Sequence, residues 1–149
     1  MYRMNHVGLT VSDIKRSAKF YAKFGFAPDD PPVVDTAEHH DEWIRTLTAL
    51  PDAHLLLALM EFDGVRLELI QYVAPTGNGE VAIGTPDAGS AHLAFSVDDI
   101  DGEYERLRRE GVVFRSPPVY IPEGPFGGVK SVYFEDPDGN TVEMLQGDF

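Results

Sequence analysis

The sequence predicts an α+β fold made of two related halves, each a strand, a helix and then about three strands. Three observations carry that expectation. First, the chain repeats itself. A shift of 86 residues lays "NHVGLTVSDI" on "AHLAFSVDDI", so that His6 falls on His92, Val11 on Val97, Asp13 on Asp99, Ile14 on Ile100 and Gly25 on Gly111. Second, a shift of 75 residues lays "GVRLELIQ" (64–71) on "GNTVEMLQ" (139–146), with Glu68 on Glu143. Similarity at a fixed offset marks a duplicated unit. Third, both copies pass from a period of two to helical spacing at the same point, as a strand followed by a helix does.

The elements follow in order. Over residues 6–11, Val7, Leu9 and Val11 take one strand face and His6, Gly8 and Thr10 the other. Ser12 or Asp13 then caps a helix with Ile14, Ala18, Tyr21 and Phe24 inward, Lys15, Arg16, Lys19 and Lys23 mostly outward, and Gly25 as the stop. Residues 28–51 read as a loop with a short helix near 43–50. "HLLLALMEF" and "VRLELIQYV" flank Asp63-Gly64, a hairpin signal. "PTGNGEVAIGTPDAGS" (75–90) is the linker. In the second half Leu93, Phe95 and Val97 form the apolar face. Asp98 or Asp99 is the cap, Ile100, Tyr104 and Leu107 the inner stripe, and Gly111 the stop. "VKSVYFE" and "TVEMLQ" flank the turn "DPDG". The organisation expected is one domain, 1–149, with modules at about 4–74 and 91–147.

Composition excludes several classes. With 12 Lys and Arg against 25 Asp and Glu the formal net charge is −13, a field that repels nucleic acid and anionic lipid. With no cysteine there is no disulfide, thiolate metal site or cysteine nucleophile. The start, "MYRMNHVGL", lacks the apolar core of a signal peptide, and no run is long enough to span a bilayer. A cytoplasmic protein with neither nucleic acid nor membrane as partner is expected.

The alternation also picks out a site. Leu67 and Leu69 share one strand face, so Glu68 lies on the other. Val142 and Met144 do the same for Glu143. His6 and His92 lie opposite the faces that pack on the helices. If each half is a curved sheet with its helix on the convex side, all four polar groups point to the concave side. There two imidazoles and two carboxylates suit one divalent cation. Singly, each residue has an ordinary reading as a surface or hydrogen-bonded group. Matched placement of all four is what favours ligation. Arg66 shares a face with Glu68, and Tyr133, if it faces inward with Ser131, can donate a hydrogen bond; its other reading is a core or edge aromatic. Arg66, Tyr133 and Trp43 are therefore candidate substrate contacts. Arg45, Arg115 and Lys130 read as solvated charges. "AEHHDEW", with His39, His40 and Glu42, reads as a surface loop or lid anchored by Trp43 rather than a second metal site, because adjacent residues on a strand point apart. His54, near the start of a very apolar strand, reads as core packing before it reads as a residue facing the cup.

The marks "HVGLTVSDIKRSAKFY", "LELIQY", "HLAFSVDDID" and "YFEDPDGNTVEML" resemble the vicinal oxygen chelate superfamily over nearly the whole chain. That superfamily includes glyoxalase I, methylmalonyl-CoA epimerase, extradiol dioxygenases and fosfomycin- and bleomycin-resistance proteins. The resemblance implies paired βαβββ modules forming a curved mixed-sheet cup, and a homodimer. It also implies that His6, Glu68, His92 and Glu143 match the four metal ligands of the bacterial glyoxalase I pattern. The epimerase pattern often has Gln where Glu68 stands.

Four protein donors on a six-coordinate ion (Ni, Co, Mn, Zn or Fe) leave two positions for a small substrate with adjacent oxygens. The ion then polarises a carbonyl while Glu143 or Glu68 acts as the catalytic base on the neighbouring C–H. The expected function is a metal-dependent lyase, isomerase or epimerase of the glyoxalase type. Two alternatives stand beside it. One is an extradiol-type dioxygenase with Fe(II) on His6, His92 and Glu143. The other is a metal-free protein that binds an antibiotic or another small molecule.

Overall fold

A computed structural model describes residues 1–39, 42–77 and 84–147. The chain divides into two compact units, Met1–Gly79 and Glu80–Phe149, and each carries one βαβββ module.

In the first module β1 (Val7–Thr10) leads into α1 (Ile14–Ala22), and β2 (Val34–Asp35), β3 (His54–Phe62) and β4 (Val65–Ala74) complete a sheet of order β1-β4-β3-β2. β1 runs parallel to β4, and the other pairs are antiparallel. The hairpin between β3 and β4 turns on Asp63 and Gly64, with φ of 49° and 75°. Two successive left-handed residues are what the two-residue hairpin turn demands. Asp13 is the α1 cap; its carboxylate accepts from the Arg16 amide. Ile14, Ala18 and Tyr21 are buried on the same side as Ala58 and Met60 of β3 and Leu67 and Leu69 of β4. Phe24, expected on that inner stripe, is only half-buried; Ser17 and Phe20 are buried instead.

The second module repeats the plan more tightly. β5 (His92–Ser96) leads into α3 (Ile100–Arg109), capped by Asp99. β6 (Val119–Tyr120), β7 (Lys130–Glu135) and β8 (Thr141–Gln146) follow, in the order β5-β8-β7-β6. Ile100 and Leu107 are buried with Val132, Phe134, Val142 and Met144. Tyr104, Phe114 and Phe134 stack with ring centroids 4.7 and 5.1 Å apart. The "DPDG" turn is held by Asp136, whose carboxylate accepts from the Asp138 and Asn140 amides and the Asn140 side chain.

The extra length of the first half holds the short helix expected there, together with a short strand and a 3-10 turn. Beyond β2 it forms a 3-10 turn (Thr36–His39) and α2 (Glu42–Thr48). Ile44 anchors α2 in a cluster with Ala53 and Leu55, edged by Leu57, Ile70 and Tyr72. Trp43, expected as the apolar anchor, is 46% exposed. In a helix of two turns the residue one step away lies on a different face, and the cluster selects Ile44. The second-metal reading of "AEHHDEW" involves His40, which lies outside the described residues. Part of the linker does too, at 78–83. His54 is not core packing. Its Nε2 lies 2.7 Å from Asp35 Oδ1, and Thr36 Oγ1 accepts from the Leu55 amide, so the segment from β2 onward is tied to β3.

Candidate functional site

In each module the helix that follows the first strand, α1 or α3, covers one face of the sheet, and strand alternation sends the candidate polar groups to the other. In the first module Gly8 pairs with Glu68, and Leu59 lies across from Glu68 on the far side. His6 directly precedes β1, and its Nε2 is 3.3 Å from Glu68 Oε2. His6 Nδ1 lies 2.8 Å from Asn5 Oδ1. The surroundings of Glu68 are mostly apolar. Leu57 and Ile70 sit one pair further along, and α2 packs over that end of the face through Ile44. Arg66 shares the face, as expected, but is exposed and 3.8 Å from Glu61 directly across the hairpin.

The second module places its pair in the same way. His92 begins β5, and its Nε2 is 3.1 Å from Glu143 Oε2. Ala94 and Tyr133 are the strand partners of Glu143 on either side. Here the environment is polar. Ser131 donates to Glu143 Oε1 at 2.6 Å. Arg115 donates to Thr141 Oγ1 at 3.0 Å and pairs with Glu135. The Tyr133 ring meets the His92 ring edge-on at 5.5 Å. Partial burial pushes the Tyr133 pKa above 10.0; the Glu143 charge adds to this, and Arg115 works against it. The phenol therefore stays protonated at neutral pH and can donate. Lys130, expected as a solvated charge, is paired with Asp101 of α3.

The fit to a metal ion can be tested on these distances. Two donors each about 2.1 Å from one ion, at right angles, lie about 3.0 Å apart. The Nε2···Oε2 separations of 3.3 and 3.1 Å match those of neighbouring ligands. An imidazole beside a carboxylate also suits a borderline divalent ion. The residues fit. Within neither module, among the described residues, do three or more His, Asp or Glu side chains gather as a metal-holding group. Each module thus supplies one pair. No helix among the described residues is long and apolar enough to cross a membrane.

Two βαβββ modules, each offering a histidine and a glutamate from parallel neighbouring strands, define a class of paired-module α+β proteins with small-molecule sites. The chain belongs to the glyoxalase/bleomycin resistance protein/dioxygenase superfamily, the vicinal oxygen chelate proteins, whose family model matches residues 3–144. It is 31% identical over 145 residues to a 2-epi-5-epi-valiolone epimerase from an Actinomyces species, covering 95% of this chain and 78% of that one. A glyoxalase family protein from Bacillus cereus superposes with a TM-score of 0.79 at 21% identity, covering 98% of this chain and 94% of that one. The fosfomycin resistance protein FosX from Listeria monocytogenes, solved with Mn(II) and sulfate, superposes with a TM-score of 0.64 at 16% identity, covering 100% and 95%. These two structural likenesses confirm the fold.

Proposed function

We propose that the chain is a divalent-metal-dependent isomerase or epimerase that moves a proton next to a carbonyl of a small substrate with adjacent oxygens. The observation that carries this reading is the pair of matched Nε2···Oε2 separations, 3.3 Å at His6–Glu68 and 3.1 Å at His92–Glu143. His6, Glu68, His92 and Glu143 would hold one ion (Ni, Co, Mn, Zn or Fe), brought together by two modules of one chain or of a homodimer. Bound there, such an ion supplies Lewis acidity to the carbonyl.

The protein's own groups do the rest. A carboxylate, Glu68 or Glu143, removes the adjacent proton. Return of a proton to the opposite face of that carbon inverts its configuration, and return to the neighbouring carbon isomerises the compound. The protonated Tyr133 phenol would donate to a substrate oxygen; its ring contact with His92 and its pairing across from Glu143 support that role. Leu57, Leu59 and Ile70 give the Glu68 side an apolar flank that a substrate's carbon skeleton would cover. The 31% identity to an epimerase supports proton transfer over oxygen chemistry and over simple sequestration.

The test is metal analysis of protein purified without chelator, followed by proton exchange in heavy water. 2-Epi-5-epi-valiolone is the first compound to assay, and a panel of small α-hydroxy and α-keto compounds the next. About one divalent ion per chain and deuterium uptake that Glu68→Gln or Glu143→Gln abolishes are expected. Oxygen consumption with a catechol on iron-loaded protein would replace this reading with the dioxygenase. Tight binding of a small molecule by protein free of metal, unchanged by either substitution, would replace it with a binding protein.

A further inference from the structure

The duplication makes the two half-sites comparable position by position, and they are not equivalent. Ser131 pairs with Leu145, two residues beyond Glu143 on β8. The same place in the first module is held by Leu57, which pairs with Ile70, two residues beyond Glu68 on β4. So Glu143 has a hydroxyl donor at 2.6 Å on Oε1 while its Oε2 faces His92. Both its oxygens are engaged. Glu68 has no such donor among the described residues, and its contact is with His6 alone on this face. A second difference points the same way. Gly8, the strand partner of Glu68, stands where the second module has Ala94 beside Glu143. A Cβ at Gly8 would lie 3.8 Å from Glu68 Oε2 and 3.4 Å from Ile70 Cδ1. The glycine leaves open the space that a methyl group would fill next to the carboxylate. Glu143 is also the less exposed side chain, at 12% against 24%.

We infer that Ser131 is a positioning residue that fixes Glu143 as the standing carboxylate donor of the site, leaving Glu68 as the carboxylate that takes up the proton. This rests on the proposed function above. For Glu143 to swing toward a substrate it must break a short hydroxyl–carboxylate bond; Glu68 has only its histidine contact to leave, and room to move. In the reacting complex the substrate C–H bond breaks, the electron pair moves toward the carbonyl oxygen, and the proton passes to a Glu68 carboxylate oxygen. Outer hydrogen bonds of this kind hold a ligating carboxylate in one orientation and raise the affinity of the site.

The experiment is a calorimetric titration of metal-free protein with Mn(II) and Zn(II), without substrate, on wild type, Ser131→Ala, Ser131→Thr, Glu68→Gln and Glu143→Gln. Deuterium uptake on the metal-loaded proteins runs in parallel. Ser131→Ala is expected to weaken metal binding about 10- to 100-fold. Ser131→Thr keeps the hydroxyl on a residue well suited to a strand and restores most of the loss. Glu143→Gln weakens binding more than Glu68→Gln, while Glu68→Gln still loads and does not exchange. Wild-type affinity in Ser131→Ala, or equal metal loss in the two Gln variants, overturns the inference while leaving the metal-dependent reading in place. A wild type that binds neither ion overturns both.

Discussion

Replacing Gln71 or Gln146 by Leu tests how the duplicated module holds its helix. Gln71 Oε1 accepts from the Ile14 amide at 3.1 Å, and Gln146 Oε1 accepts from the Ile100 amide at 3.0 Å. Each is the first amide of its helix, one of the group that no intrahelical carbonyl reaches. The Asp13 and Asp99 caps serve a different amide, two residues further on. Ile14 and Ile100 are 2% and 0% exposed, so water is poorly placed to substitute. Leaving such an amide unpaired costs about 1–3 kcal/mol. The two sites lie in separate modules, so the double variant should lose about the sum of the single losses, within about 0.5 kcal/mol. For a chain of this size a 2 kcal/mol loss lowers Tm by about 4–8 °C. Urea unfolding followed by circular dichroism measures each value. Gln→Glu at either site keeps an acceptor at a helix N-terminus and should stay within about 0.5 kcal/mol of wild type. Single Leu variants as stable as wild type would refute the capping argument. So would a large loss at one site and none at its twin.

Other expectations follow from the same geometry. Gly25 has φ +104°, and an added Cβ would meet the Phe62 ring at 2.5 Å, whereas Gly111, with φ +85°, faces open space. Gly111→Ala should cost about 1–2 kcal/mol from backbone strain alone, and Gly25→Ala measurably more, by chemical denaturation. In metal-free protein the raised Tyr133 pKa should appear as a late phenolate transition above pH 10.0, absent from Tyr133→Phe. Because the folded value is the higher one, its stabilisation is complete below the unfolded pKa and is lost as pH rises through the folded one. Ultraviolet difference spectra and high-pH unfolding midpoints check both. A divalent ion at 100 times its Kd should stabilise the fold by about 2.7 kcal/mol, so chelation should lower Tm by about 5–11 °C; an unchanged Tm would contradict ligation.

Much of the architecture is legible in the chain because the signals are local. Period-two alternation at residues 6–11, a cap at Ser12 or Asp13 and at Asp98 or Asp99, and the Asp63-Gly64 turn each depend on a few neighbouring residues. So does the placement of Glu68 and Glu143 opposite the apolar face of their strands. What failed to read was non-local or a matter of helix phase. Asp35 meets His54 across 19 residues, so His54 looked like core. Ile44 rather than Trp43 seats α2 because the cluster at Leu55 and Ala53 selects that face.

The amino-acid sequence by itself determined that two like modules exist, where the first strand, the helix after it and the closing hairpin of each lie, and which histidine and glutamate each would offer. Tertiary structure alone decided how those donors are held. Ser131 reaches Glu143, Leu57 replaces it beside Glu68, and each Gln caps a helix more than forty residues away in sequence. The reason is strand register: alternation fixes the face on which a side chain lies, but only the pairing of one strand with another fixes what it touches.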